Sequence, residues 1–138
     1  MKTRQDLEQL YPGVYKARAT VVRRVEFDAA HFLPNYEGKC KNLHGHHWVV
    51  ELGVEGEIDP KTGMVVDFSE LKAFWEDNLE GKFDHRLLND TLVNPTAENL
   101  AYYILSFCLC NITSTYSFTL AFVRVWETTN SYCEVRSS

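Results

Sequence analysis

The sequence predicts an α+β protein: a four-stranded antiparallel sheet with two helices on one face, in the order ββααββ. Three observations carry that expectation. Apolar residues recur at strand-like spacing up to about residue 57. The period becomes helical from Asp67 onward. Alternation then returns in residues 116–126. Antiparallel hairpins that carry their helices on one face satisfy this order with a single core. At 138 residues the chain is one domain with enough length to bury that core. Residues 1–13 are polar, end in the turn signal Y-P-G, and read as an accessory N-terminal segment ahead of a single domain over 14–138.

The elements follow in order. Residues 14–31 hold valines, alanines and Phe27 at strand spacing, interrupted by Arg23 and Arg24, and form a first strand ending at His31. Residues 33–44 contain a proline, a glycine and two asparagines, so they form a loop that carries Cys40. Residues 46–57 form the second strand, closed by the turn D-P-K-T-G. Asp67 is a helix N-cap with Glu70 at the N3 position of a capping box. Phe68, Leu71, Trp75 and Leu79 then recur at helical spacing as a core stripe, and Gly81 stops the helix. Residues 82–94 are a long connection holding the fifth histidine. Asn94 caps a second helix with Pro95 at its first position, running to about Asn111. A strand over 116–126, a turn at Thr129 and Asn130, and a short strand over 131–136 complete the chain. Four strands leave two edges, and pairing edges between copies is one way to protect them, so oligomers are expected.

Composition excludes several classes. The net charge is −5 and the longest basic run is Arg23-Arg24, so nothing points to nucleic acid. No apolar run approaches the roughly 20 residues that span a membrane, and the first residues lack a signal-peptide core. These features imply a soluble, cytoplasmic protein. Cys40, Cys108, Cys110 and Cys133 form no C-x-x-C pair and read as free thiols.

The chemistry concentrates between residues 31 and 47, which hold four of the five histidines. His44 and His46 form an H-x-H pair, and on a strand residues two apart share a face. His47 then turns to the other face. With His31 they make a three-histidine set suited to zinc, leaving a fourth position open as catalytic sites do. Asp28, three residues from His31 in an extended segment, faces away. Cys40 reads equally as a buried thiol, as a fourth ligand that closes a structural site, or as a thiol made reactive by Lys39 and Lys41. Asp84 and His85 read as a proton-shuttling pair or as an ordinary surface pair. Glu127, at the end of an apolar strand, reads as a solvated carboxylate or as a cap that binds a guanidine-like N–H pair. Glu98 reads as a helix-dipole carboxylate.

Several motifs in one order resemble the 6-pyruvoyl-tetrahydropterin synthase family over about residues 14–136: F-D-A-A-H-F-L-P, G-K-C-K-N-L-H-G-H, D-P-K-T-G-M-V-V-D-F, D-H-R-L-L-N-D, N-P-T-A-E-N and V-W-E-T. Within it the chain is most similar to the bacterial 6-carboxy-5,6,7,8-tetrahydropterin synthases of the queuosine pathway. Only three residues separate Cys40 from His44, and the animal branch has a longer spacing there. The resemblance implies the tunnelling fold, with subunit sheets closing into a barrel and two trimeric rings stacking as a hexamer with active sites between subunits. It implies His31, His44 and His46 as zinc ligands. It further implies Cys40 as general base with Asp84 and His85, and Glu127 as the pterin anchor. It implies a lyase that converts 7,8-dihydroneopterin triphosphate to 6-carboxytetrahydropterin, acetaldehyde and triphosphate. The alternatives are 6-pyruvoyltetrahydropterin formation or a non-catalytic, zinc-stabilised pterin-binding protein. The segment through Gly13 and the tail after Glu127 depart from the family pattern. For the triphosphate, Lys16, Lys39, Lys41 and Arg86 are the available cations.

Overall fold

The computed structural model describes residues 1–12, 18–111 and 116–138. Its sheet has five strands: β1 (Arg18–His31), β2 (His44–Glu57), β3 (Arg86–Leu87), β4 (Phe122–Thr128) and β5 (Ser131–Arg136). Their order is β3-β1-β2-β4-β5, antiparallel except for β3, which runs parallel to β1. The helices are α1 (Arg4–Leu10), α2 (Phe68–Asn78), α3 (Glu80–Phe83) and α4 (Ala97–Asn111). The sheet is therefore mixed and five-stranded, not the expected four-stranded antiparallel one. The extra strand lies in the stretch expected to be a plain connection. It is two residues long, too short to leave a periodic signal.

The N-terminal segment contains a helix, α1, closed by a capping box in which Thr3 and Asp6 exchange bonds with each other's backbone. It buries none of its residues, and the Arg4 guanidinium bonds the Ile58 carbonyl just past β2. In α2, Asp67 caps as expected, accepting from the Ser69 amide at 2.8 Å. Glu70 does not complete a capping box. It reaches instead to Ser117, 47 residues away, bonding the backbone amide and the hydroxyl. Residues 116–120 are not strand; the segment is held along α2 instead, Ser117 to Glu70 in its first turn and Tyr116 to Asp77 and Asn78 at its end. Regular pairing starts only at Phe122. Gly81 lies inside α3, because the helix breaks earlier, at Leu79. Phe68 is 51% exposed, and Phe74 takes the place on the core stripe assigned to it. The cap of α4 is Thr96, which accepts from the Asn99 amide at 3.0 Å, rather than Asn94.

The core lies between the sheet and α2, α3 and α4. Its centre is aromatic: Phe27 stacks on Trp48 with ring centroids 6.2 Å apart, and meets Trp75 and Phe83 at 5.6 and 5.8 Å. Odd-numbered residues of β1 and even-numbered residues of β2 face this core, from Val25 and Val50 toward the histidines. The opposite face of the sheet is charged, and among the described residues no helix packs on it. There Arg124 and Arg136 both bond Glu134 and flank the Phe122 ring, with guanidinium carbons 4.6 and 4.8 Å from its centroid. Phe122 lies across Gly53, where a Cβ would meet the ring at 2.1 Å. A methyl group there would have to displace the Phe122 ring and the arginines that flank it, so Gly53→Ala should destabilise the chain by about 1–3 kcal/mol as an overpacking change. The measurement is the shift in the denaturant midpoint at unchanged slope.

Candidate functional site

The register of β1 against β2 assembles the site. His31 pairs with His44, and Ala29 pairs with His46, so the three imidazoles gather on the core face at one end of the hairpin. Directly opposed residues share a face, and the small Ala29 leaves room beside His46. One possible ligand atom from each histidine lies within 4.8 Å of the other two. The cluster contains no cysteine. Trp48 closes its floor, edge-on to His31 at 5.0 Å and to His46 at 5.4 Å.

Hydrogen bonds set the tautomers. Nδ1 of His31, a residue with no exposed surface, lies 2.8 Å from the Pro95 carbonyl. Nδ1 of His44 lies 2.7 Å from the Asn42 carbonyl. A carbonyl only accepts, so both Nδ1 atoms carry hydrogen and both Nε2 atoms present lone pairs. Those Nε2 atoms stand 3.0 Å apart. Two lone pairs face each other there, an arrangement that a cation between them relieves. Nε2 of His46 is buried without a hydrogen-bond partner. Burial lowers the pKa of His31 and of His46, favouring the neutral, metal-binding form. The donor set thus fits a divalent ion that accepts imidazole nitrogen, zinc being the usual one for three histidines. Carbonyl partners behind ligating imidazoles are the expected outer support of such a site. The carbonyls of Pro95 and Asn42 thus orient two of the three imidazoles, a contact that sequence reasoning missed, Pro95 having been read only as a helix start.

Glu127 reaches the same cluster from β4, its Oε1 3.6 Å from His46 Nε2. The pairing of β4 with β5 shifts register between Trp126 and Thr128, so Glu127 is the extra residue of a bulge. Bulges re-aim a side chain in this way. Two grooves meet at Glu127, one bordered by His46, Trp126 and Thr128, the other by Glu98, Ser131 and Cys133.

The remaining residues fall as follows. His47 faces away, bonded to Asp28 at 2.7 Å, and that carboxylate raises its pKa. Asp84 and His85 do face each other, His85 Nδ1 lying 2.9 Å from Asp84 Oδ1. His85 adopts φ +58°, left-handed and uncommon for a residue with a Cβ. The Asp28 amide, and after it the His85 ring, hold the Asp84 carboxyl below its usual pKa. The His85 side chain is 78% exposed and shares a shallow groove with His46, His47 and Arg86. Cys40 sits in a 3₁₀ turn, Lys39–Lys41, partly buried. Lys16 lies outside the described residues. Among the described residues no helix is long and apolar enough to cross a membrane.

This fold and site define a class: an α+β protein whose strand hairpin gathers three histidines that could hold a metal ion, with a carboxylate beside them. Residues 20–138 match the 6-pyruvoyl tetrahydropterin synthase family, and the chain belongs to it. A 6-carboxy-5,6,7,8-tetrahydropterin synthase of Rickettsia typhi is 30% identical, covering 82% of this chain and 96% of its own. The human 6-pyruvoyl tetrahydrobiopterin synthase is 38% identical over 67% of this chain and 75% of its own. The structure of a Caenorhabditis elegans 6-pyruvoyl tetrahydropterin synthase superposes with a TM-score of 0.76 at 31% identity, covering 89% of this chain and 98% of that one.

His44→Ala should abolish zinc binding after loading and dialysis, read as metal per chain by mass spectrometry. His47→Ala should bind the same amount as the unaltered chain, because its ring lies across the sheet. Full zinc content in the His44 variant would remove the three-histidine assignment.

Proposed function

We propose that this protein is a zinc-dependent 6-carboxytetrahydropterin synthase, acting on 7,8-dihydroneopterin triphosphate. The observation that carries the reading is the open three-histidine cluster with Glu127 beside it, in a chain of the 6-pyruvoyl tetrahydropterin synthase family. The short spacing from Cys40 to His44 and the similarity to the Rickettsia synthase favour the 6-carboxy reaction. With one water taken up, the substrate yields 6-carboxytetrahydropterin, acetaldehyde and triphosphate. The ring gains the electrons that the side-chain carbon loses, so the reaction needs no external reductant.

His31, His44 and His46 would hold the ion. When bound, it supplies Lewis-acid polarisation of the substrate's side-chain hydroxyls. Glu127 accepts two N–H groups of the pterin, which orients the ring and sets its side chain toward the histidines. Cys40 removes a proton from the side chain. His85 accepts or returns a proton, its ring oriented by Asp84 through the Nδ1 bond. The electron pair freed at the side-chain carbon next to the ring passes into the ring and reduces it. Water then adds to the carbonyl left on that carbon. Cleavage of the adjacent carbon–carbon bond sends its electron pair outward to expel triphosphate, so that the carboxylate stays on the ring and the released enol becomes acetaldehyde.

The second reading is 6-pyruvoyltetrahydropterin formation, favoured by the names of the human and C. elegans relatives. It releases triphosphate without acetaldehyde. Incubation with dihydroneopterin triphosphate, with acetaldehyde assayed and the pterin product weighed by mass spectrometry, separates the two. In that assay Cys40→Ala should retain zinc and lose about 10²- to 10⁴-fold in kcat, as removal of a positioned base does. Glu127→Ala should instead raise KM. Loss of zinc from the Cys40 variant would make Cys40 a ligand and end the catalytic reading.

The assembly belongs to the same proposal. Among the described residues the outer edge of β1 pairs only at Ala29 and Ala30, and β5 has no outer neighbour. Two open edges on one sheet favour joining copies edge to edge, and a closed ring leaves none free. Trimer-based hexamers are expected. Sedimentation at micromolar concentration should give a species several times the 16.0 kDa chain, and a monomer would contradict it.

A further inference from the structure

The segment that follows α3 is stitched to the end of β1. Asp84 Oδ1 accepts from the Asp28 amide at 3.2 Å, and the His85 amide donates to the Asp28 carbonyl at 2.6 Å. Arg86 and Leu87 then pair with Ala29 and Ala30. The backbone ladder ends there, because Leu88–Asp90 winds into a 3₁₀ turn. A side chain continues it. Asn89 Oδ1 accepts from the Phe32 amide at 3.0 Å, and Asn89 Nδ2 donates to the Phe32 carbonyl at 2.9 Å. A primary amide presents an acceptor and donors side by side, so it offers one residue what another strand would.

Phe32 lies between His31 and the loop that carries Cys40. That loop closes on the next residue: the Leu33 amide donates to the Cys40 carbonyl at 2.8 Å, and the Leu33 carbonyl accepts from Tyr36 at 3.2 Å. The loop therefore hangs from Phe32 and Leu33, and Asn89 is the side chain that holds Phe32 on both sides of its backbone. His31 has separate supports, the ladder to His44 and the bond to Pro95.

We propose that Asn89 is a positioning residue for Cys40, locking the root of its loop and so holding the thiol at a set place relative to His31. This rests on Cys40 acting as the base. Misplacing a reacting group by about 1 Å can cost on the order of 10²-fold in rate. Because His31 is held independently, the metal site should survive loss of Asn89.

The test uses the zinc-loaded full chain with Asn89→Ala and Asn89→Asp. The second keeps the acceptor for the Phe32 amide but sets a carboxylate oxygen against the Phe32 carbonyl. Three quantities are read: zinc per chain, the rate of iodoacetamide alkylation at Cys40 followed by peptide mass, and kcat and KM for acetaldehyde release. Cys108 serves as the internal control, buried and with its thiol pushed up to about 11. The expected result is full zinc, faster alkylation of Cys40 alone, and kcat lowered about tenfold or more with KM little changed. An unchanged alkylation rate in a folded variant overturns the inference. So does a loss of zinc that parallels the loss of rate, since Asn89 would then act through His31. If Asn89→Ala does not fold, Asn89→Asp carries the same readings. A native chain that releases no acetaldehyde would overturn the 6-carboxy reading instead, while the alkylation comparison, which needs no turnover, still decides the role of Asn89.

Discussion

The register between β1 and β2 is the constraint on which the rest depends. Fourteen residues pair with fourteen, from Arg18 opposite Glu57 to His31 opposite His44. A slip of one residue would turn every side chain of a strand to its other face. Trp48, Val50 and Leu52, all fully buried, would then face the charged side, and His44 and His46 would leave His31. The apolar half of the hairpin thus specifies the register, and the histidines at its end are aligned without any added stabilisation of their own. Burying that half supplies the free energy, since exchange for alanine in a well-packed core costs about 3–5 kcal/mol for a tryptophan such as Trp48 and about 2–5 kcal/mol for a leucine such as Leu52.

The site combines rigid supports with one exposed side. The histidines sit on a strand hairpin, with the Trp48 indole beneath them and backbone carbonyls behind two of their rings. Such an arrangement limits rotation of the imidazoles, which is what fixed coordination geometry requires. His85, by contrast, stands mostly in solvent with its backbone in the left-handed region. That strain is offset by the bond from its amide to Asp28 and by the Asp84 carboxylate.

Period-two spacing made the three-histidine cluster legible, because His44 and His46 need only a strand to converge, and the same spacing turns His47 on β2 and Asp28 on β1 to the opposite face. The capping residue Asp67 and the apolar periodicity of α2 and α4 were legible for equally local reasons. What escaped was what depends on distant partners. Glu70 has the sequence position of a capping box, and its bond to Ser117 cannot be read from a four-residue window. Residues 116–120 alternate like a strand yet are held to a helix end. β3 is two residues long, and its partner lies more than fifty residues upstream. Asn94 and Thr96 both have capping side chains, and only the three-dimensional path of the chain selects Thr96. For Cys40, Asp84 and Glu127 the local sequence left a chemical and an ordinary reading side by side, and the resemblance alone chose the chemical one.

The bond from His31 to Pro95 spans 64 residues, whereas His31 and His44 are separated by 13. The two contacts close loops of very different length, and the shorter closes sooner and at lower entropic cost. During synthesis the hairpin with all three histidines emerges well before Pro95, and Glu127 comes later still. The groups able to hold an ion can therefore meet while the carboxylate that would choose an organic ligand has yet to be made. On the proposed reading, the growing chain would gain affinity for a cation first and selectivity for the molecule placed beside it last.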